Sequence, residues 1–319
     1  MPVHLGGQSP QSTVRQRQAV RVGVPVVSVG NLTLGGTGKT PAVEWIAQWF
    51  VRHGLRVGLI SRGYKSAAGN KNDEAMELAQ RLPDVPHWQD ADRVAAARAA
   101  ISDARRQLLV LDDAFQHRRI ARDLDIVLID ASEPFGFDHL FPRGTLREPL
   151  AGLARAQYAL LTRADLVDAA ERARIRSIAK SYAPQIAWGE CRHAPKYLLL
   201  ASGEIQPLDS LRDRPIAAFC GIGNPAAFRE TLKQCGYNAI AFREFPDHHR
   251  YSETEISDLS RWTETQNVAA VVCTHKDLVK INAVTLGGKS LFAAVIGLEF
   301  LAGEQELEQL LKPLLERVP

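Results

Sequence analysis

Cysteine is scarce in this chain of 319 residues. The four present, Cys191, Cys220, Cys235 and Cys273, show no Cys-x-x-Cys spacing and have mostly apolar neighbours. That excludes a disulfide framework or a zinc site and predicts buried, reduced thiols of a cytosolic protein. Long apolar runs are missing too: nothing approaches the roughly 18 apolar residues of a membrane-spanning helix. There is no internal repeat and no low-complexity tract. Neither sign of charge dominates, with 39 Lys plus Arg against 36 Asp plus Glu and a net charge of +3. Such a balance suits phosphate-bearing or anionic lipid substrates, but it is too diffuse for a nucleic-acid surface, and no nucleic-acid partner is expected. The start of the chain lacks the apolar core of a signal peptide. Gly6-Gly7, Ser9-Pro10 and several glutamines and arginines predict a loosely attached polar tail over residues 1–21.

Against these absences stands residues 24–40, VPVVSVGNLTLGGTGKT. A β-branched run ends in a glycine-rich turn that closes on Gly38-Lys39-Thr40. Polyphosphate binding needs such a turn: backbone N–H groups freed by Gly35, Gly36, Thr37 and Gly38 point inward, the Lys39 ammonium reaches the outer phosphates, and the Thr40 hydroxyl meets Mg²⁺. The helix that follows carries Val43, Ile46, Ala47 and Phe50 on one face, and Gly54 is placed to stop it. The strict P-loop pattern has Gly where Thr33 stands, so this is a variant of the motif. It predicts nucleoside triphosphate binding.

Strands are predicted at 24–29, 56–60, 108–112, 124–130, 157–162, 215–220, 237–242, 269–274 and 291–297. Helices are predicted near 41–53, 73–82, 91–106, 168–181, 224–235, 252–265 and 303–316. Their alternation implies an α/β fold, a P-loop kinase-like parallel sheet with helices on both faces. The rhythm breaks over 185–210, at Trp188-Gly189, His193-Ala194-Pro195 and Ala201-Ser202-Gly203. A nucleotide-binding domain over 22–195 and a second, smaller α/β domain over 196–319 are therefore expected, with chemistry in the cleft between them. The second unit opens with Gly221-Ile222-Gly223-Asn224-Pro225. Lacking Lys-Thr, this reads as a tight strand-to-helix turn with Asn224 as N-cap rather than a second nucleotide site.

Leu108–Asp113 is an apolar strand ending in paired carboxylates. Beside a P-loop strand, Asp112 or Asp113 would deliver an acid to Mg²⁺. Asp73-Glu74 opens a helix and can be read as simple capping. Asp247-His248 is a candidate acid–base pair or a loop histidine satisfied locally. Arg62, Arg93, Arg143 and Arg147 stand at loop tips, each able to hold a phosphate or to be a solvated surface group. Thr162-Arg163-Ala164-Asp165 is similar to the base-reading loop of P-loop GTPases without its Asn-Lys pair.

Taken in order, the segments 29–41, Ser61-Arg62-Gly63-Tyr64, Asp73-Glu74, Asp112-Asp113-Ala114-Phe115-Gln116-His117, Leu146-Arg147-Glu148-Pro149, Gly221–Pro225 and Phe245-Pro246-Asp247-His248 resemble the tetraacyldisaccharide 4'-kinase family, the lipid A 4'-kinases of Gram-negative envelope synthesis. The resemblance covers about residues 22–300. It implies ATP- and Mg²⁺-dependent phosphorylation of the 4'-hydroxyl of an acylated glucosamine disaccharide 1-phosphate. The reaction would take place at the cytoplasmic face of the inner membrane, with two α/β domains closing over the nucleotide. It implies a general base at Asp73, assisted by His248 from the other domain. With these go Lys39 on the phosphates and Arg62, Arg93, Gln116, His117, Arg147 and Glu148 as candidate acceptor contacts. Three departures stand out. The family usually has Gly where Ala114 stands and Glu where His275 stands, and its members generally begin with an apolar or amphipathic helix where this chain has a polar tail. The last implies either a gene start placed too far downstream or lipid contact through another surface. A nucleotide switch or metal-insertion GTPase is the rival class, separable by nucleotide preference.

Overall fold

The computed structural model describes residues 19–63 and 73–318, the side chains of Asp73 and Glu74 excepted. The expected tail over 1–21 therefore lies almost wholly outside the described residues. The first half runs β1 (Val26–Asn31), α1 (Lys39–Arg52), β2 (Val57–Ser61), α2 (Asp73–Arg81), β3 (His87–Gln89), α3 (Arg93–Ser102), β4 (Leu108–Asp112), β5 (Leu124–Asp130), β6 (Tyr158–Thr162) and α4 (Ala169–Tyr182). Next come β7 (Ala187–Leu200), β8 (Ile205–Gln206), β9 (Pro215–Cys220), α5 (Pro225–Gln234), β10 (Asn238–Glu244) and α6 (Glu253–Glu264). The chain ends with β11 (Ala270–Thr274), α7 (His275–Leu278), β12 (Thr285–Leu286), β13 (Lys289–Ala302) and α8 (Glu304–Leu315).

Every residue of β1, β2, β4, β5 and β6 is buried, as continuous β-branched and leucine runs require when helices cover both faces. Successive side chains alternate between two cores. On one side Val27, Val29, Val110 and Leu128 pack against Val43, Ile46, Ala47 and Phe50 of α1. On the other, Leu109 and Leu111 meet Val94, Ala97 and Ala100 of α3, while Val127 and Leu161 meet Ile175 and Ala179 of α4. Helix α1 stops at His53 and Gly54, whose φ of +83° is one that glycine adopts without strain.

The stretch expected to separate two domains is instead the longest strand of the region. β7 continues the first sheet in parallel with β6, then pairs antiparallel with β13, which in turn carries β11, β9 and β10 in parallel. The sheet is thus continuous, and a boundary at 195/196 falls inside β7. Gly189 and Pro195, read as breakers, are accommodated. Pro195 sits where the register with β13 shifts between Val295 and Ile296, so no ladder hydrogen bond is required of its missing N–H. Gly189 leaves room for Tyr158, whose hydroxyl donates to the Gly303 carbonyl at 2.8 Å. Helix α8, from the far end of the chain, lays Leu307, Leu311 and Leu314 on the first half's core.

The registers fix where a site can form. β6 ends its pairing with β7 at Glu190, whereas β11 ends at the level of Leu198, through Ala294 of β13. Because β7 and β13 are antiparallel, the carboxyl ends of both parallel sheets face one another across this two-stranded bridge. From Glu190 to Leu198 the bridge spans on the order of 25 Å at ~3.3 Å per residue. The gap is the cleft where an open α/β sheet binds its ligands.

Candidate active site

The P-loop, residues 32–38, enters the cleft from the carboxyl end of β1 and closes at Gly38, the left-handed N-cap of α1 (φ 82°). Asn31 Nδ2 donates to the Thr33 carbonyl at 2.8 Å, Leu34 N donates to Thr145 O at 2.7 Å, and Arg147 N donates to Leu32 O at 2.7 Å. From β6, Thr162 Oγ1 donates to Thr37 O at 2.9 Å, and Arg163 Nη2 donates to Gly36 O at 2.9 Å while ion-paired to Asp130. The Thr162–Asp165 loop therefore braces the P-loop backbone, a different task from reading a base. Gly35 and Gly36 remain exposed.

Asp112 and Asp113 end β4 directly beside β1, with Val29 opposite Asp112. Asp112 is buried; Asp113 turns away through a positive φ of 49°. Its carboxylate takes both Arg147 guanidinium nitrogens, at 2.6 and 3.3 Å, and lies 3.8 Å from Lys39 Nζ. Burial would raise the Asp113 carboxyl, but Lys39 and Arg147 hold it below its ordinary value. Arg93 is buried, and its Nη2 donates to the carbonyls of Asp112 (3.3 Å) and Asp113 (2.9 Å), bracing the turn. Gln116 Nε2 donates to Asn31 O and to Glu148 Oε1, and Glu148 also receives Arg155 at 2.8 Å. His117 is half-buried; burial, with Arg93 and Arg119 adding, lowers it to about 4. Arg62 is exposed at the end of β2, and Tyr64 of its motif lies outside the described residues. Ala114 buries its methyl in the cluster of Val94, Ala97 and Leu111.

Across the gap, Asn224 caps α5 by accepting from Ala227 N at 3.0 Å, with Pro225 in the first turn. The Gly221 N–H is already taken by both oxygens of Asp277, each at 3.1 Å, so this turn is filled by an internal carboxylate. His248 is exposed on the loop after β10 with φ 58°, its N–H donating to Asp247 Oδ1 at 3.0 Å. Asp73 is the first residue of α2, and its side chain lies outside the described residues. The far end of α2 is tied to both halves. Arg81, buried, reaches Glu77 and Glu44 at 2.7 Å each, and the Ile296 carbonyl of the bridge at 2.8 Å. Its Nε also donates to His275 Nδ1 at 3.1 Å. On its other side His275 Nε2 lies 2.7 Å from Gln80 Oε1. His275 thus joins α2 to the second half of the chain.

Two contacts at the site are not foreseen by the sequence analysis. His193, in the middle of β7, lays its imidazole against Gly38, so closely that a side chain at Gly38 would run into the ring. Burial, with Arg163 adding, lowers it to about 4. Its Nε2 and the Thr37 hydroxyl are buried with no hydrogen-bond partner among the described residues. The Arg81–His275 cluster is the second. A lone histidine in an alternating run and an arginine ending a helix become meaningful only through contacts distant in sequence.

The family profile for tetraacyldisaccharide-1-P 4'-kinase matches residues 9–316. A tetraacyldisaccharide 4'-kinase of Anaeromyxobacter sp. (strain K) is 40% identical over 94% of this chain and 84% of its own length. One of Elusimicrobium minutum is 37% identical over 83% of this chain and 75% of its own length. The solved structure of LpxK from Aquifex aeolicus in complex with ATP superposes with a TM-score of 0.73 at 29% identity, covering 93% of this chain and 90% of that one.

Proposed function

The chain belongs to the tetraacyldisaccharide-1-P 4'-kinase family and is an ATP-dependent kinase of the lipid A precursor; from that premise we propose how its residues divide the work. The N–H groups of residues 35–40 and the Lys39 ammonium hold the β- and γ-phosphates, and the Lys39–Asp113 contact of 3.8 Å is loose enough to be exchanged for them. The Thr37 hydroxyl and His193 Nε2, buried beside Gly38 with no hydrogen-bond partner among the described residues, are further polar atoms next to that turn.

Thr40 and Asp112 fit Mg²⁺ by the chemistry of their hard oxygen donors. Among the described residues no group of three or more His, Cys, Asp or Glu could hold a metal alone. Thr40 and Asp112 would hold the ion together with the nucleotide, and it would supply charge neutralisation to the phosphates. Asp113 is committed to Arg147, so its task is to orient that arginine. Asp73 accepts the proton of the 4'-hydroxyl as the γ-phosphate transfers, and His248 orients Asp73 from the opposite wall. Arg62, His117 and Arg147 receive the acceptor's own phosphate. The reaction takes place at the cytoplasmic face of the inner membrane, with the chain bound peripherally.

The observation that carries this division of roles is the register of β7 and β13, which turns the P-loop edge and the His248 edge toward each other. Transfer of labelled γ-phosphate tests it. ATP with tetraacyldisaccharide 1-phosphate should give product, and ATP with the deacylated analogue or GTP with either acceptor much less. GTP hydrolysis without transfer to the lipid would overturn the reading.

A further inference from the structure

The loop over residues 132–146 presents apolar side chains to solvent beside the P-loop. Of the chain's eleven phenylalanines, only Phe137 (68%) and Phe141 (67%) are exposed. Leu140 (47%) lies on the same loop, and Leu34 (45%) faces it from the P-loop, its N–H bonded to Thr145 O at 2.7 Å. Leu166, 63% exposed, follows the Arg163 brace on the other flank.

This exposure is built rather than incidental. Phe135 and Leu146 anchor the loop in the core. Asp138 N donates to Phe135 O (2.9 Å), Phe141 N to Leu146 O (2.9 Å), Thr145 N to Gly136 O (3.1 Å) and Leu146 N to His139 O (3.1 Å). Gly136 and Gly144 are packed so closely that any Cβ would meet backbone or Thr145. Phe137 is itself held at φ 56°, a conformation unfavourable for a bulky side chain that the surrounding bonds enforce. A fold that spends hydrogen bonds and strain to point two phenylalanines outward has a use for them.

We propose that this lip, Phe137, Leu140 and Phe141 with Leu34 and Leu166 behind, docks the kinase on an anionic bilayer surface. The proposal rests on the lipid-kinase reading: an acceptor whose four acyl chains stay in the bilayer brings its sugar to a P-loop only if the rim of the P-loop touches that bilayer. Charge agrees with the occupant. Arg143 is exposed at the loop tip, with Arg147 and Arg163, paired to Asp113 and Asp130, behind it; of the acids nearby, Glu133 is bonded by Thr145, Asp138 lies near enough to Arg174 of α4 to raise it, and Asp165 is exposed beside Leu166. Aromatic and aliphatic tips inserted to the acyl boundary, with arginines at headgroup level, make an interfacial binding surface.

Sedimentation of the full chain with vesicles, without nucleotide or acceptor, tests the surface independently of turnover. The vesicles are phosphatidylethanolamine with about a third phosphatidylglycerol, against pure phosphatidylcholine. The Phe137→Ser/Phe141→Ser variant should lose about tenfold or more in partition to the anionic vesicles, while Ile205→Ser/Ile240→Ser, at residues also exposed (62% and 50%) but elsewhere, should stay within about twofold of the parent. Arg143→Gln should narrow the preference for anionic over neutral vesicles. In a Phe137→Trp variant, the fluorescence gained over the parent should be quenched by vesicles with brominated acyl chains, a reading that needs no loss of function. Binding of the double phenylalanine variant equal to the parent overturns the proposal. So does equal loss in both double variants, or an unquenched Phe137→Trp signal. If vesicle binding behaves as expected but phosphate transfer to the acylated disaccharide fails, the surface stands and the kinase reading falls.

Discussion

Asp112 and Asp113 are neighbours whose carboxylates meet different surroundings. Asp113 is held by Arg147 and faces Lys39, whereas Asp112 is buried at the strand end beside the P-loop. Asp112→Asn should therefore raise the Mg²⁺ concentration for half-maximal rate well above the parent's, with Asp113→Asn moving kcat more than Mg²⁺ dependence. Superimposable Mg²⁺ titrations for all three proteins would remove the metal role. Lys39→Ala should leave the fold intact and less than about a tenth of the activity, since losing a charge-offsetting contact to the transferred phosphate costs several kcal/mol of transition-state stabilisation. At this scale pH also acts. Burial lowers His193 and His117 to about 4 from 6.5, so both are neutral when folded. The unfolded chain then binds more protons between those values; their stabilisation is whole above 6.5 and is lost as pH falls toward 4. The urea midpoint of the parent should drop between pH 7 and pH 5, and that of His193→Asn should drop less. An identical drop would contradict a buried neutral ring at Gly38.

The element that matters most to the architecture is β7, and Gly189 is its test. A methyl there would collide with Tyr158 Oη, which is bonded to Gly303 at the start of α8. Gly189→Ala should destabilise by about 1–3 kcal/mol, read as a lowered melting temperature, and Tyr158→Phe in the same background should recover part of the loss by removing the hydroxyl. The same residue explains what sequence can and cannot convey. β1, the P-loop and α1 are legible because every local signal agrees: a β-branched run, a glycine turn, and Val43, Ile46, Ala47 and Phe50 at helical spacing. β4 and the Asp112-Asp113 turn are legible for the same reason. β7 is not, because Gly189 and Pro195 resemble breaks until Tyr158 and the register shift opposite Pro195 give each a place. Nor are the helix α2 strap and the His193 contact, whose partners lie on elements distant in the chain.

At the scale of the whole molecule, the two-stranded bridge holds the facing sheet ends apart, and the proposed Asp73–His248 pairing requires them to approach. Asp73 begins α2, and the other end of that helix is tied through Arg81 to His275 and to Ile296 of the bridge. His248 is carried by the loop after β10 on the opposite wall. If the two act as one proton-accepting unit, it is assembled when the facing edges approach, and kinetics should show it. Asp73→Ala should lower kcat far more than it raises the KM for ATP, because the P-loop bed is left whole. His248→Ala should be milder, and the double variant should cost clearly less than the product of the single effects, as for groups that work only together. His275→Ala, which leaves the Arg81 Nε–H without its acceptor, should mimic a weakened form of the same defect by loosening α2 from the far wall, lowering kcat with the ATP KM nearly unchanged. A mere helix cap at Asp73 gives the opposite pattern, about 1 kcal/mol of lost stability with near-normal kcat. Thermal stability and kcat measured on the same variants separate the two. Independent, multiplying losses at Asp73 and His248 would show that each acts alone and that closure brings together something other than this pair.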